Sequence, residues 1–297
     1  MRKLIASLAA VLALSAAAVA PVGAITGVNY TEDFEHPFVG LAVFYTIEDG
    51  QEVFSHRCSG SLLSPTVFLT AGHCTDGVDT ARVYFQQDAG AHYDPATQLD
   101  PVSGYPETCA NGTLGTLCAT SDRLYNYGFD GFANFPNTKD AGIVVLDQPI
   151  ALPEYGILPE IGTLDSFASK SGLQDRTVTV SGYGVTYKDA SGQHDKSYRI
   201  RLMGTSKITN VVGGNTGGFN LQTSGNGGGR SGTCSGDSGG PVFYPSTTNV
   251  IVGVTSFGLN SWCRGQDFAF RVDTQATQDW IQSVLSPAEW AEIQFAS

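Results

Sequence analysis

The chain has 297 residues, 41% of them hydrophobic and only 15% charged, with 36 glycines; this length suits one large domain or two smaller ones, and the apolar content excludes wholesale disorder. Its 16 Lys and Arg against 28 Asp and Glu give a net charge of -12, which argues against nucleic acid or an anionic membrane as partner. The six cysteines, an even number, suit a disulfide framework.

Arg2 and Lys3 precede an Ala/Leu/Val run from Leu4 to about Val19, and Val22-Gly23-Ala24 follows. This is the n-region, h-region and cleavage site of a secretory signal over residues 1–24. A membrane anchor is the rival reading, but the run is Ala-rich and no stop-transfer charge follows it. Export to an oxidising, extracellular setting is expected, with a mature chain starting at Ile25 and carrying a charge of about -14 once Arg2 and Lys3 are gone. Beyond it, short apolar runs at Val39–Tyr45, Val67–Thr70, Arg82–Phe85, Ile143–Leu146, Val178–Ser181, Phe219–Ser224, Val250–Thr255 and Phe268–Val272 are bounded by Gly, Pro, Asn and Asp, and read as strands. Pro149 to Ser171 lacks a clear strand and reads as a connection between two units, 25–160 and 161–297. Only Thr274 to Phe295 has helical spacing, through Trp280, Ile281, Val284 and Leu285. Many short strands with Gly-rich turns predict an all-β sandwich or barrel architecture.

The chemistry concentrates in three places. Cys234-Ser235-Gly236-Asp237-Ser238-Gly239-Gly240-Pro241 sets a serine among glycines, where a tight turn lets backbone N–H groups converge on an oxyanion. The same residues satisfy Gly-x-Ser-x-Gly, but an α/β-hydrolase needs its histidine after the serine. All five histidines (36, 56, 73, 92 and 194) precede Ser238, so that reading fails. His73 stands in Thr70-Ala71-Gly72-His73-Cys74 and Asp140 opens Asp140-Ala141-Gly142-Ile143-Val144-Val145-Leu146. Asp147 competes with Asp140 but follows the apolar run as a strand-end residue would. The other four histidines have no motif around them and read as surface or packing residues. No His-Glu-x-x-His or Cys-His cluster suggests a metal.

The order His73, Asp140, Ser238, together with Ser181-Gly182-Tyr183-Gly184, Thr255-Ser256-Phe257-Gly258 and Phe270-Arg271-Val272, resembles the trypsin/chymotrypsin-like serine endopeptidases over almost the whole mature chain. The resemblance implies two antiparallel six-stranded β-barrels with a C-terminal α-helix. It implies a secreted endopeptidase working through an acyl-enzyme: Ser238 as nucleophile, His73 as base and then acid, Asp140 holding the imidazole, and the N–H groups of Gly236 and Ser238 as oxyanion hole. Ser256 resembles the residue that bonds the triad aspartate and lines the substrate strand, with Gly258 close by. The family further implies Cys58 with Cys74 and Cys234 with Cys263, which leaves Cys109 with Cys118 inside an insertion unusual for the family. No cofactor or metal is implied. The expected partner is a peptide or protein substrate, with no nucleic acid, no membrane after signal cleavage, and a monomeric enzyme.

Two further expectations concern activation and specificity. Ile25-Thr26-Gly27-Val28 followed by Pro37-Phe38 looks like the family's mature start, whose α-ammonium pairs with the aspartate before the nucleophile, here Asp237. Signal cleavage would then itself produce the active form; the alternative is a frayed terminus. Trypsin-like members carry an aspartate six residues before the nucleophile, where this chain has Gly232. Counting back from Arg271-Val272 puts Asp267 at a pocket-wall position instead, an exchange found in some crustacean collagenolytic relatives. Basic or mixed P1 preference follows from that placement. A gap placed differently would put Ala269 there and favour large apolar residues. A catalytically dead homologue that binds a protein is the reading from another class. Asn29 and Asn111 stand in glycosylation sequons.

Overall fold

Val39–Glu48 and Gln51–Leu62 form a long hairpin. The two residues between them, Asp49 and Gly50, both have positive φ, 51° and 79°, the backbone that a two-residue turn needs to match strand twist. The structure is a computed structural model that describes residues 25–27, 29–89, 104–105, 109, 117–169, 176–188, 194–195, 199–225 and 230–297. The expected signal segment, His92 and the Asn111 sequon lie outside the described residues.

Around that hairpin seven strands assemble in the order Cys118–Ser121, Thr80–Tyr84, Val39–Glu48, Gln51–Leu62, Val67–Thr70, Gly142–Val145, Arg123–Asn126. All neighbours are antiparallel. The Asp147 N–H reaches across to the Thr120 carbonyl at 2.9 Å, bringing the two edges close to closure. A second barrel follows Thr177–Gly182, Pro241–Phe243, Ile251–Gly258, Gln266–Arg271, Asn220–Ser224 and Leu202–Asn210, and the last pairs back with the first. That ring of six is closed, which removes the unpaired edges an open sheet would expose. Each barrel encloses its own apolar core: Leu41, Val43, Phe68, Val83 and Ile143 in the first, Val178, Val180, Leu221, Val242 and Val252 in the second.

The two barrels exchange their ends. Tyr30–Glu32 adds a seventh strand to the second sheet, although it precedes the first barrel in sequence. At the other terminus the Gln275–Val284 helix lays Ile281 into the first core and stacks Trp280 on Tyr127 at 4.9 Å. The helix expected over 274–295 is two pieces. Leu285 is extended, and Ser286 caps a short second helix, Pro287–Ala291, through a capping box with Glu289. Pro287 cannot donate into a continuing helix but is at ease in the first turn of a new one. Buried Arg201 ties the seam between barrels, donating to the carbonyls of Asp33, Val39 and Phe85 at 2.9, 3.0 and 3.2 Å. Among the described residues no helix is long and apolar enough to cross a membrane.

Candidate active site

Val67–Thr70 pairs antiparallel with Gly142–Val145, with Thr70 opposite Gly142. The residues just after the first strand and just before the second therefore share one end of the first barrel. His73 sits there on the one-turn helix Gly72–Thr75, and the Cys58–Cys74 disulfide ties that turn to the hairpin. Asp140 sits opposite and is 0% exposed. Its Oδ1 accepts from the His73 backbone N–H at 2.7 Å, and the His73 Nδ1 lies 3.1 and 2.9 Å from its two oxygens. The Ser256 hydroxyl donates to Oδ2. A carboxylate only accepts, so this contact places the imidazole proton on Nδ1 and leaves the Nε2 lone pair free. The His73 side chain remains 24% exposed.

Ser238 lies on the turn from Cys234 to Pro241. Asp237 N–H bonds the Cys234 carbonyl at 3.0 Å and Gly240 N–H bonds the Asp237 carbonyl at 2.8 Å. Gly236 and Gly239 take φ of 96° and 78°, which a side chain would strain. The turn is held from outside at four carbonyls: Ser235 by Val185 N–H at 2.9 Å, Gly236 by the Ser59 hydroxyl at 2.8 Å, Ser238 by Ser59 N–H at 2.7 Å, and Gly240 by Thr255 N–H at 2.8 Å. Beside it opens a pocket of about 170 Å³ whose lining includes Ser238, Ser256, Gly258 and Asp267. The Cys234–Cys263 disulfide joins two walls of this pocket. Ser256 thus belongs to the pocket and to the Asp140 cluster at once.

Asp267 reaches the pocket because its strand places it opposite Gly258, whereas Ala269 packs in the second core. It is 7% exposed. Burial pushes its carboxyl up to about 6, opposed by the Thr233 N–H that donates to Oδ2 at 2.9 Å. Gly232 is absent from the lining; it is buried opposite Thr26, and the neighbouring Thr233 lines the pocket instead. Phe257 stacks flat on Phe268 at 4.5 Å and meets the exposed Phe132 at 5.1 Å, an aromatic wall that continues through Phe129 to the His73 ring.

Ile25 is fully buried, with φ of 79°, at the head of Thr26–Gly27, which pairs with Ser231–Gly232. Asp237 is also 0% exposed. Its oxygens accept from Gly184 N–H at 2.8 Å and Cys234 N–H at 2.9 Å. Burial nevertheless raises its carboxyl from 3.8 to about 7, and Asp267 pushes the same way.

Three features had no motif to announce them: Ser59, the aromatic wall, and a buried Asp33 that binds both His36 and Ser181. His36 is therefore a buried packing residue, stacked on Phe243 at 4.4 Å. The third disulfide, Cys109–Cys118, closes the insertion before the strand Cys118–Ser121.

The family model for trypsin matches residues 31–281. Brachyurin from Leptuca pugilator is 32% identical over 234 residues, covering 76% of this chain and 86% of the relative. Chymotrypsin from Phaedon cochleariae is 27% identical over 284 residues, covering 88% of each. Among solved structures, HL collagenase overlays with a TM-score of 0.59 at 19% identity, covering 87% of this chain and 97% of that one. An inactivated protease paralogue of the scabies mite overlays at 0.58 and 15% identity, covering 89% and 100%. At such identities the structures speak for the fold alone.

Proposed function

Because the chain belongs to the trypsin family of serine proteases, we propose that it is a secreted endopeptidase whose peptide-bond hydrolysis is carried by His73, Asp140 and Ser238. The observation that carries the reading is Ser256, whose hydroxyl bonds the Asp140 carboxylate while its residue lines the same pocket as Ser238. Ser238 Oγ attacks the scissile carbonyl as His73 Nε2 takes its proton. Asp140 steadies the imidazolium that results, and the N–H groups of Gly236 and Ser238 receive the oxyanion. His73 then protonates the leaving amine, and water repeats the sequence on the acyl-enzyme.

Activation follows from Asp237. Among the described residues its hydrogen bonds come from two backbone N–H groups, and a fully buried carboxylate without a paired cation is costly to ionise. The α-ammonium created by cleavage before Ile25 supplies the missing cation and fixes the nucleophile turn. In the pocket, Asp267 is the one ionisable side chain among the lining residues, and it favours a P1 Arg or Lys. The second reading, large apolar P1 residues, is favoured by the Phe257–Phe268 stack and by an Asp267 carboxyl that is neutral below about pH 6.

Cleavage-site profiling of a mixed peptide library with processed protein, with S238A as control, tests the proposal. Cuts after Arg or Lys that vanish in S238A and weaken in D267A support both triad and pocket. Cuts after Phe, Tyr or Leu keep the triad and discard the role of Asp267. No cleavage by protein confirmed to begin at Ile25 moves the weight to a binding protein.

A further inference from the structure

Strand Gln51–Leu62 belongs to the first barrel, yet at Ser59 it grips the nucleophile turn of the second. The Ser59 hydroxyl donates to the Gly236 carbonyl at 2.8 Å and accepts from the Tyr183 N–H at 2.9 Å. Its own N–H donates to the Ser238 carbonyl at 2.7 Å, and its carbonyl accepts from the Thr70 hydroxyl at 2.8 Å. Ser59 is fully buried, so bulk solvent does not compete for these bonds. We propose that Ser59 is a positioning residue for the oxyanion hole, its hydroxyl holding Gly236 in the orientation that presents the Gly236 N–H; the inference rests on the reading of Ser238 and Gly236 given above.

The geometry of the two peptides flanking Gly236 supports this. The preceding peptide has its carbonyl, on Ser235, bonded by Val185 N–H at 2.9 Å. In a trans peptide the N–H points opposite to the carbonyl, so the Gly236 N–H faces away from Val185. Gly236 lies between the two peptides at φ 96°, and a glycine there rotates at little steric cost. Val185 restrains the peptide on one side of that hinge. On the other, the Ser59 hydroxyl restrains the Gly236 carbonyl, from a separate barrel. Removing the hydroxyl leaves that second peptide held by the Asp237 N–H bond to the Cys234 carbonyl at 3.0 Å, a contact within the turn itself, and leaves the Gly236 carbonyl and the Tyr183 N–H buried without this partner, which favours a rotated turn.

The test uses processed protein with Ser59→Ala and Ser59→Cys, the latter of similar size with a weaker donor. The readouts are kcat and KM on one good peptide substrate, affinity for a peptidyl boronate that forms a tetrahedral adduct with Ser238, affinity for the same peptide with an unreactive terminus, and the thermal midpoint. Loss of an oxyanion donor costs about 10²–10³ in kcat, and misaiming one in S59A is expected to cost about tenfold or more. KM and the unreactive peptide's affinity stay within about twofold. Boronate affinity falls with kcat/KM, and S59C lies between Ala and wild type. If S59A does not fold, the same split between kcat and KM is read from S59C. An unchanged kcat in a folded variant overturns the proposal. So does a parallel fall in the affinity of the unreactive peptide, which marks a merely structural residue. Wild type that neither cleaves peptide nor is labelled at Ser238 by a fluorophosphonate sinks the functional reading itself, whereas labelled, active wild type beside an unaffected S59A sinks only Ser59.

Discussion

Asp140 in the first barrel and Asp237 in the second are both 0% exposed, but their surroundings differ. Asp140 takes the His73 backbone N–H, the His73 imidazole and the Ser256 hydroxyl. Asp237 takes two backbone N–H groups, and burial still drives it to about 7. Buried ions are tolerated when paired and bonded, and are expensive otherwise. The first barrel therefore holds a finished cluster. The second holds an unfinished one, and Asp267, raised to about 6 beside it, repeats the pattern. In the function proposed above, one carboxylate awaits a new terminus and the other a substrate side chain.

The largest expected effect is on the finished cluster. Asp140→Asn preserves shape but lets the imidazole adopt the wrong tautomer. By the value established for the family's template triad, kcat falls by about 10⁴ while KM barely moves. A variant with ordinary kcat removes Asp140 from the mechanism. Blocking the Ile25 amine, by leaving one extra residue before it, attacks the unfinished cluster instead. The cost expected is about 10²–10³ in kcat, that of a lost oxyanion contact, and full activity with a blocked amine ends the activation proposal.

The same contrast predicts that the two forms of the chain lose stability with rising pH in different windows. Without the amine, the Asp237 carboxyl is raised from 3.8 to about 7, so between those values the folded chain binds more protons than the unfolded one. Stability then falls as pH rises across that window. With the amine present, the ammonium's own pKa is raised by the pair. Its contribution is complete below the ordinary amine value of about 7.7–8.0 and is lost as pH rises through the folded value. Chemical denaturation of processed and extended protein from pH 4 to 9 checks this: the gap between them widens toward pH 7 and narrows in the alkaline range. Parallel curves contradict the pairing.

What could be read from the sequence follows how local the chemistry is. His73, Asp140 and Ser238, the residues proposed as base, orienting carboxylate and nucleophile, each stand in a short motif of immediate neighbours. The barrels were legible through runs such as Val39–Tyr45 and Val67–Thr70, which lie inside observed strands. Strand Gln51–Leu62 was not, because it starts with Gln51, Glu52, Ser55, His56 and Arg57 and carries no apolar run. Its signal was the turn, Asp49-Gly50, a strong hairpin dipeptide. Leu202–Asn210 was equally hidden, since its inward residues include Gly204 and Ser206 as well as Leu202 and Ile208. Ser59 had no signal at all: a serine beside a strand cysteine acquires meaning only when another barrel brings Gly236 to its hydroxyl.

At Asp267 the proposed partner is the substrate itself. The preference for P1 Arg over P1 Leu is expected to rise as pH passes through about 6, where the empty-pocket carboxyl ionises. Taking the ratio of the two kcat/KM values cancels every titration the substrates share. Asp267→Asn is expected to flatten that ratio and lower Arg cleavage by about 10², toward the lower end of what truncating a buried charged pair costs. A ratio that never moves with pH assigns the pocket to apolar side chains.

The smallest effect is expected where the ion pair lies at the surface. Arg123 donates to Glu289 at 2.8 Å, joining strand Arg123–Asn126 to the helix Pro287–Ala291. The Arg123 bond, reinforced by Ser286, lowers the Glu289 carboxyl from 4.5 to about 2. The Arg123 side chain is 43% exposed, so solvent screens the pair and fixing two long side chains opposes it. Arg123→Ala is expected to cost at most about 1 kcal/mol near neutral pH. The sign differs from that of Asp237: a depressed carboxyl stabilises above its unfolded value, and the contribution is lost as pH falls through about 2. Denaturant titrations of wild type and R123A that converge in acid and differ slightly at pH 7 fit this account. A loss of several kcal/mol would instead mean that the short helix, with its capping box, docks cooperatively on the first barrel through Arg123.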